Sequence, residues 1–298
     1  MGLQVTIVGL GLVGGSIGLA LKKAGADLPR RGGTDAGRLE IVGHDKNPEA
    51  ARSAHKNGCV DRTEWNLISA CDGADLVIIS TPPAGIQSTL TAIAAELKEG
   101  CVVTDTASLK VPVLNWARES LPATAHFVGG HPIPKRGYGR GAPIAKPDAT
   151  IADSGAWQPA ADLFAGAVYC LTPASNTSPE ALQRVSDLAE AVGAIPYYMD
   201  AAEHDGLIAA VEQLPLFMAL ALQDVVSASP AHREIARLSG VDFSHATWPL
   251  VGDHYALSEV CHSNAANIVR WLDSYLARLS SLRESLAQGS SDEEQEGE

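Results

Sequence analysis

One histidine stands between a glycine pair and a proline, Gly129-Gly130-His131-Pro132, and it is the first candidate for proton chemistry. Free imidazole titrates near 6.5, so at neutral pH it is mostly uncharged and able to take a proton. Upstream, Asp105-x-x-Ser108-x-Lys110 offers a hydroxyl that could orient such a base and a cation that could meet an anionic group. Downstream, Lys135, Arg136 and Arg140 follow His131 in a glycine-rich run. Those cations could hold an acidic substrate, although a solvated loop is the plainer reading of them. Glu203-His204-Asp205 places a second histidine among carboxylates. No HExxH or Cys/His spacing points to a metal. The five cysteines, 59, 71, 101, 170 and 261, lack a CxxC pair and are expected to be buried, reduced thiols.

The chain opens with a cofactor motif. Residues 3–9 have the character of a strand, Gly9-x-Gly11-x-x-Gly14 follows, and an apolar helical pattern comes next. In a dinucleotide fold the first glycine permits the tight turn, the second lets backbone approach the pyrophosphate, and the third lets helix and strand pack closely. Gly9, Gly11, Leu12, Val13 and Gly14 are therefore expected to bind the cofactor, with the phosphates over the helix N-terminus. An acidic residue ending the second strand should hold the adenosine ribose. Asp45 does this, but 31 positions after Gly14. The polar stretch 28–39, twelve residues long, accounts for the excess over the usual spacing of about 20. The Asp45 charge disfavours a 2′-phosphate and so favours NAD, while Lys46 and Arg30-Arg31 keep NADP open. Thr81 and Pro82, at the end of another strand, are expected to face the cofactor.

These groups need a scaffold that brings strand ends together. Short β-branched runs at 3–9, 39–45, 74–80, 101–105 and 125–130 alternate with helical patterns. That alternation predicts a doubly wound parallel sheet of Rossmann type, with helices on both faces. Residues 1–200 are assigned to this dinucleotide-binding α/β domain. From 201 to 288 only helical periodicity remains, which predicts an all-helical substrate and dimerisation domain. The tail 289–298 is acidic and almost free of hydrophobes, and is expected to be disordered.

The net charge of −13 argues against nucleic acid as a partner, because phosphate neutralisation needs clustered cations. The N-terminal residues have neither the cationic region nor the cleavage site of a signal peptide. No apolar run is expected to reach the roughly 18 residues of a membrane span. A cytoplasmic location and no membrane partner are the expectation.

As a set, the motifs resemble the prephenate/arogenate dehydrogenase family of tyrosine biosynthesis. The resemblance is carried by the glycine turn, Asp105-x-x-Ser108-x-Lys110, Gly129 to Pro132, Asp162-Leu163-Phe164-x-Gly166, Leu171-Thr172-Pro173 and Glu203-His204-Asp205. It implies NAD(P)-dependent oxidative decarboxylation of an anionic cyclohexadienyl substrate, with hydride passing to the nicotinamide. It further implies His131 as base or hydrogen-bond acceptor, Ser108 as its orienting partner, and a homodimer formed through the helical domain. Lys110, Lys135, Arg136, Arg140 and His204 are the candidates for substrate binding. Two departures stand out. Glu212-Gln213-Leu214-Pro215-Leu216 replaces the family's Ser-His-Leu-Pro-His, and no arginine lies between Arg237 and Arg270 where the family places a carboxylate-gripping one. Arg237 is a second candidate for that role. Two alternatives stay open: another Rossmann-plus-helical dehydrogenase of β-hydroxyacid or imine type, and a cofactor-binding regulatory protein without turnover.

Overall fold

The structure, a computed structural model, describes residues 2–25, 39–134, 158–247 and 261–295. The first half follows the predicted alternation: β1 (Leu3–Val8), α1 (Leu12–Ala24), β2 (Leu39–His44), α2 (Pro48–Lys56), β3 (Arg62–Thr63) and α3 (Leu67–Cys71). Then come β4 (Leu76–Ile79), α4 (Pro83–Ile93), β5 (Val102–Asp105), α5 (Val111–Ser120) and β6 (His126–Pro132). β7 (Val168–Pro173), α6 (Pro179–Ala191) and β8 (Ile195–Tyr198) complete one eight-stranded sheet, ordered β3-β2-β1-β4-β5-β6-β7-β8. The order reverses between β1 and β4, which is where an open α/β sheet forms its ligand crevice.

Alternation at period two builds both faces of the core. In β4, Leu76 and Ile78 join the cluster with Ile17, Leu21, Val185 and Leu188. Val77 and Ile79 join the opposite cluster with Ile86, Leu90 and Val113. A strand buried on both faces has no polar side, hence the unbroken Leu-Val-Ile-Ile.

The sheet departs from the fully parallel expectation at one place. β7 runs antiparallel to β6, with Gly130 opposite Leu171 and His131 opposite Cys170, and β8 is then parallel to β7. The helix of a βαβ crossover is what makes neighbouring strands parallel. The sequence reading supplied no helix between β6 and β7, yet it carried the parallel rule across that join.

The compact units divide between Asp205 and Gly206, so His204 and Asp205 belong with the sheet. α7 (Ala201–Ile208) runs into a π-helical turn (Ala209–Gln213) and α8 (Leu214–Ser227). The wide turn is closed by a bond from Leu214 N–H to Ala209 O. It accommodates Pro215, whose ring would otherwise press on the carbonyl four residues back. α9 (His232–Leu238), α10 (Val241–Thr247) and α11 (Ala265–Gln295) follow. In the second unit Asn264 Nδ2 donates to buried Gln213 Oε1 at 2.7 Å, and Trp271 Nε1 donates to Gly206 O at 3.0 Å.

Two sequence expectations change here. α11 continues to Gln295, so the acidic tail is helical at its start; adding residues to an existing helix needs no new nucleus. The run Ala201–Ser227 is also long and apolar enough to cross a membrane by length and composition, with a window of mean hydropathy 1.5. Glu212 and Gln213 interrupt the apolar run and lower its mean hydropathy, which still reaches 1.5.

Ile78 lies in the middle of β4 with no exposed surface. Ile78→Ala should destabilise the sheet unit by about 2–5 kcal/mol through the cavity it leaves, read as a lower urea midpoint.

Candidate active site

The glycine turn, Thr81, Asp105 and His131 all sit at or beyond the C-terminal ends of parallel strands, on one sheet edge. At the turn, Gly9 has φ +95° and a Cβ there would lie 2.3 Å from Ser80 O, so only glycine fits. Gly11 has open space where a Cβ would stand, and α1 begins with no side-chain cap. The orphan N–H groups of the first helical turn are thus left to a ligand. Asp45 Oδ2 accepts from Leu10 N–H and its Oδ1 from Asn47 N–H, both at 2.8 Å. The acid therefore ties the end of β2 to the glycine turn, and each oxygen keeps a second lone pair for a ribose hydroxyl. The Thr81 hydroxyl is buried beside this turn with no protein partner. These residues fit a dinucleotide.

His131 does not lie in a turn. It is in β6, buried, and its two preceding glycines serve sheet packing instead of ligand approach. A Cβ on Gly129 would meet Thr172 Oγ1 at 2.3 Å, and one on Gly130 would meet Asp105 O at 2.6 Å. Beneath the strand, Lys110 Nζ makes an ion pair with Asp105 Oδ2, and neither side chain has any exposed surface. Lys110 Nζ also donates to Gly130 O, while Asp105 Oδ1 accepts from Gly130 N–H at 3.1 Å. Asp105 Oδ2 further accepts from Ala107 N–H at 2.9 Å.

A second chain of bonds reaches His131 from α7. Asp205 accepts from Lys110 N–H at 2.7 Å and from Val111 N–H at 2.9 Å, capping α5 from another element. His204 Nδ1 lies 2.9 Å from Asp205 Oδ1, and His204 Nε2 lies 3.1 Å from His131 Nδ1. The two rings meet edge to face, 5.2 Å between centroids. With both imidazoles neutral the proton order is fixed. Asp205 can only accept, so His204 carries its proton on Nδ1 and offers the Nε2 lone pair. His131 must then donate from Nδ1, which leaves Nε2 as its basic nitrogen.

Burial, then the Lys110 ammonium, then the His204 ring push His131 well below its ordinary titration range. Desolvation outweighs any stabilisation of the imidazolium, so the ring stays neutral. Burial likewise pushes the Lys110 ammonium down, and the Asp105 carboxylate opposes the shift. Tyr169 is raised by burial and then by Asp105.

Several expected roles change. Lys110 is a buried strut, because a free ammonium this deep would need a counter-ion and finds it in Asp105. Both ring nitrogens of His204 are engaged, Nδ1 with Asp205 and Nε2 with His131. Ser108, expected to orient His131, forms no hydrogen bond with it among the described residues; its place is taken by His204. Lys135, Arg136 and Arg140 lie outside the described residues, as do Arg30 and Arg31. Asp205, singled out in sequence only as the neighbour of His204, is bonded to that ring and to the start of α5. Its adjacency to His204 was the available signal, since a carboxylate beside an imidazole can fix its tautomer. Among the described residues no group of His, Cys, Asp and Glu is arranged to hold a metal.

The family model for the prephenate dehydrogenase nucleotide-binding domain matches residues 30–198, and that for the prephenate dehydrogenase dimerization domain matches 200–296. The chain belongs to the prephenate dehydrogenase family. It is 31% identical over 222 residues to the prephenate dehydrogenase of Bacillus subtilis, a match covering 73% of this chain and 52% of the relative. The chain thus spans about half the length of that relative. The Probable prephenate dehydrogenase NovF of Streptomyces niveus is 31% identical over 295 residues, covering 94% and 68%. Among solved structures, prephenate dehydrogenase from A. aeolicus in complex with hydroxyphenyl propionate and NAD+ superposes with a TM-score of 0.80 at 26% identity, covering 98% of this chain and 93% of that one. Synechocystis arogenate dehydrogenase shares the fold, with a TM-score of 0.72 at 22% identity.

The neutral His131 has a thermodynamic consequence. Unfolded, it takes a proton near its ordinary value of 6.5, whereas folded it does so only at lower pH. Between those values the unfolded state binds more protons, so stability falls as pH drops through that window. Melting temperature should therefore decline below about pH 6.5, the ordinary histidine value, and His131→Asn should make that decline shallower.

Proposed function

We propose that this chain is an NAD-dependent oxidoreductase that oxidatively decarboxylates prephenate or arogenate, with His131 as the base. The observation that carries this reading is the Asp205–His204–His131 relay at the nucleotide-binding edge of the sheet. It holds a neutral imidazole with its basic nitrogen fixed. Family membership supports the substrate class, and the arogenate dehydrogenase likeness is one of fold only.

The dinucleotide, bound over α1 and against Asp45, supplies the hydride acceptor. His131 Nε2 takes the proton from the ring hydroxyl as the carbinol carbon loses hydride. Loss of the ring carboxylate as CO₂ leaves its bonding electrons in the ring, which becomes aromatic. His131 then returns the proton to the phenolate oxygen, so the relay ends as it began. A base with a low proton affinity is suited to this second step, because it gives the proton back readily. Asp205 and His204 keep the imidazole from rotating, so the proton that Nε2 takes is returned from the same nitrogen.

Asp45 favours NAD over NADP, because a 2′-phosphate would face its charge. A homodimer is part of the same reading. The family model over 200–296 is that of a dimerization domain, and the helical unit exposes Val211, Val225, Leu276 and Leu286. The described cysteines are buried and form no disulfide among the described residues, in keeping with a reducing, cytoplasmic setting.

His131→Asn should lower kcat on prephenate or arogenate by roughly 10²–10⁴-fold while NAD affinity holds. Steady-state kinetics with NADH formation, together with calorimetric titration of NAD, check this. Unaltered turnover would remove His131 from the chemistry. His204→Ala should lower kcat without raising KM, since His204 orients the base and does not bind substrate.

A further inference from the structure

We infer that Lys110, together with Asp105, is a positioning pair for His131: it grips both hydrogen-bonding groups of Gly130, the residue immediately before the imidazole. The inference rests on the proposed role of His131 as base.

The ladder between β5 and β6 ends where Thr104 pairs with Val128. β5 itself stops at Asp105, yet β6 continues to Pro132. Gly130 has therefore run past the backbone that should meet its N–H and C=O on that side. The side chains of Asp105 and Lys110 stand in for the missing strand. Asp105 takes the Gly130 N–H, Lys110 gives to the Gly130 carbonyl, and the two charges neutralise each other. An unpaired backbone amide at this depth would be costly. A Cβ at Gly130 would strike Asp105 O, so the close approach needs glycine at that position.

A hydrophobic pair could fill the same volume, and buried ion pairs often add little stability. What an apolar pair could not do is hold one peptide from both ends. The pair therefore fixes the base along its strand, while His204 fixes it in rotation. Among the described residues, the titratable groups around His131 include Asp105 from β5, Lys110 before α5, Tyr169 and Cys170 from β7, and His204 and Asp205 from α7. Of the cationic groups, the Lys110 ammonium is the one whose removal is tested here, and its charge opposes protonation of His131.

The test uses the full chain carrying Asp105→Asn/Lys110→Met, which keeps the buried volume and leaves no charge unpaired, with Asp105→Leu/Lys110→Met as a second charge-free variant that also removes the acceptor for Gly130 N–H. Nitrogen-15 spectra of labelled histidine report the tautomer and titration of His131 without reference to turnover. In the wild type the ring should remain neutral and protonated on Nδ1. In the variants it should titrate at higher pH and populate both tautomers, with kcat on prephenate lowered about 100-fold, KM and NAD affinity little changed. Variants in which His131 titrates as in the wild type and kcat is kept would overturn the inference. So would a raised KM with kcat unchanged, which would make Lys110 a substrate ligand. A wild-type protein with no turnover would defeat the proposed reaction instead, and the histidine spectra would still decide the clamp. Should neither variant fold, hydrogen exchange of the wild-type Gly130 amide decides: slow exchange is expected, and exchange at the rate of an unprotected amide would refute the clamp.

Discussion

Asp105 and Lys110 neutralise each other in the fully buried space at the end of β5, and the active geometry depends on that contact. Two opposite charges in so little water must pair, and their remaining bonding capacity must be satisfied nearby. Here it is satisfied by the backbone of Gly130 and by Ala107 N–H. The electrostatic requirement of the pair and the hydrogen-bond requirement of an overhanging strand are met by the same atoms. His131 is thereby held on a buried strand, where a loop could not have held it so closely.

Lys110 also links the two systems that reach the imidazole. Its side chain supports β6 from below, and its backbone N–H is bound by Asp205, which also accepts from Val111 N–H and meets His204. One residue thus joins the strand that carries the base to the relay that sets the base's tautomer. The α5 N-terminus contributes through Asp205, because a carboxylate capping a helix is held by several donors at once. The resulting network contains a cation, two carboxylates and two imidazoles. Its net effect on His131 is to disfavour a second proton.

The nucleotide edge and the catalytic candidates meet for a topological reason. β1, β2, β4, β5 and β6 are mutually parallel, so their C-terminal ends share one edge. The glycine turn follows β1, Asp45 follows β2, Thr81 follows β4, Asp105 ends β5 and His131 lies near the end of β6. The antiparallel β7 does not disturb this arrangement. It covers the outer side of β6 and supplies the wall, Tyr169 to Thr172, against which the two glycines pack.

By itself the sequence determined the Rossmann-type alternation, the glycine turn with its distant acid, the change to helices after Asp200, and His131 as the candidate base. Each of these is written in local pattern: strand periodicity, glycines at fixed offsets, or a residue type in an unusual setting. Only the tertiary structure decided what surrounds that base. Asp205 lies 94 residues from Val111 along the chain and meets it only because α7 returns to the start of α5. Lys110 looked like a substrate ligand because sequence shows a charge but not its burial. Ser108 was the expected orienting partner because it matches the family's serine, whereas the described residue bonded to the His131 ring is His204, 73 residues away along the chain. The antiparallel turn of β7 was hidden for a related reason, since strand direction is set by how the chain crosses between strands and not by the residues within them.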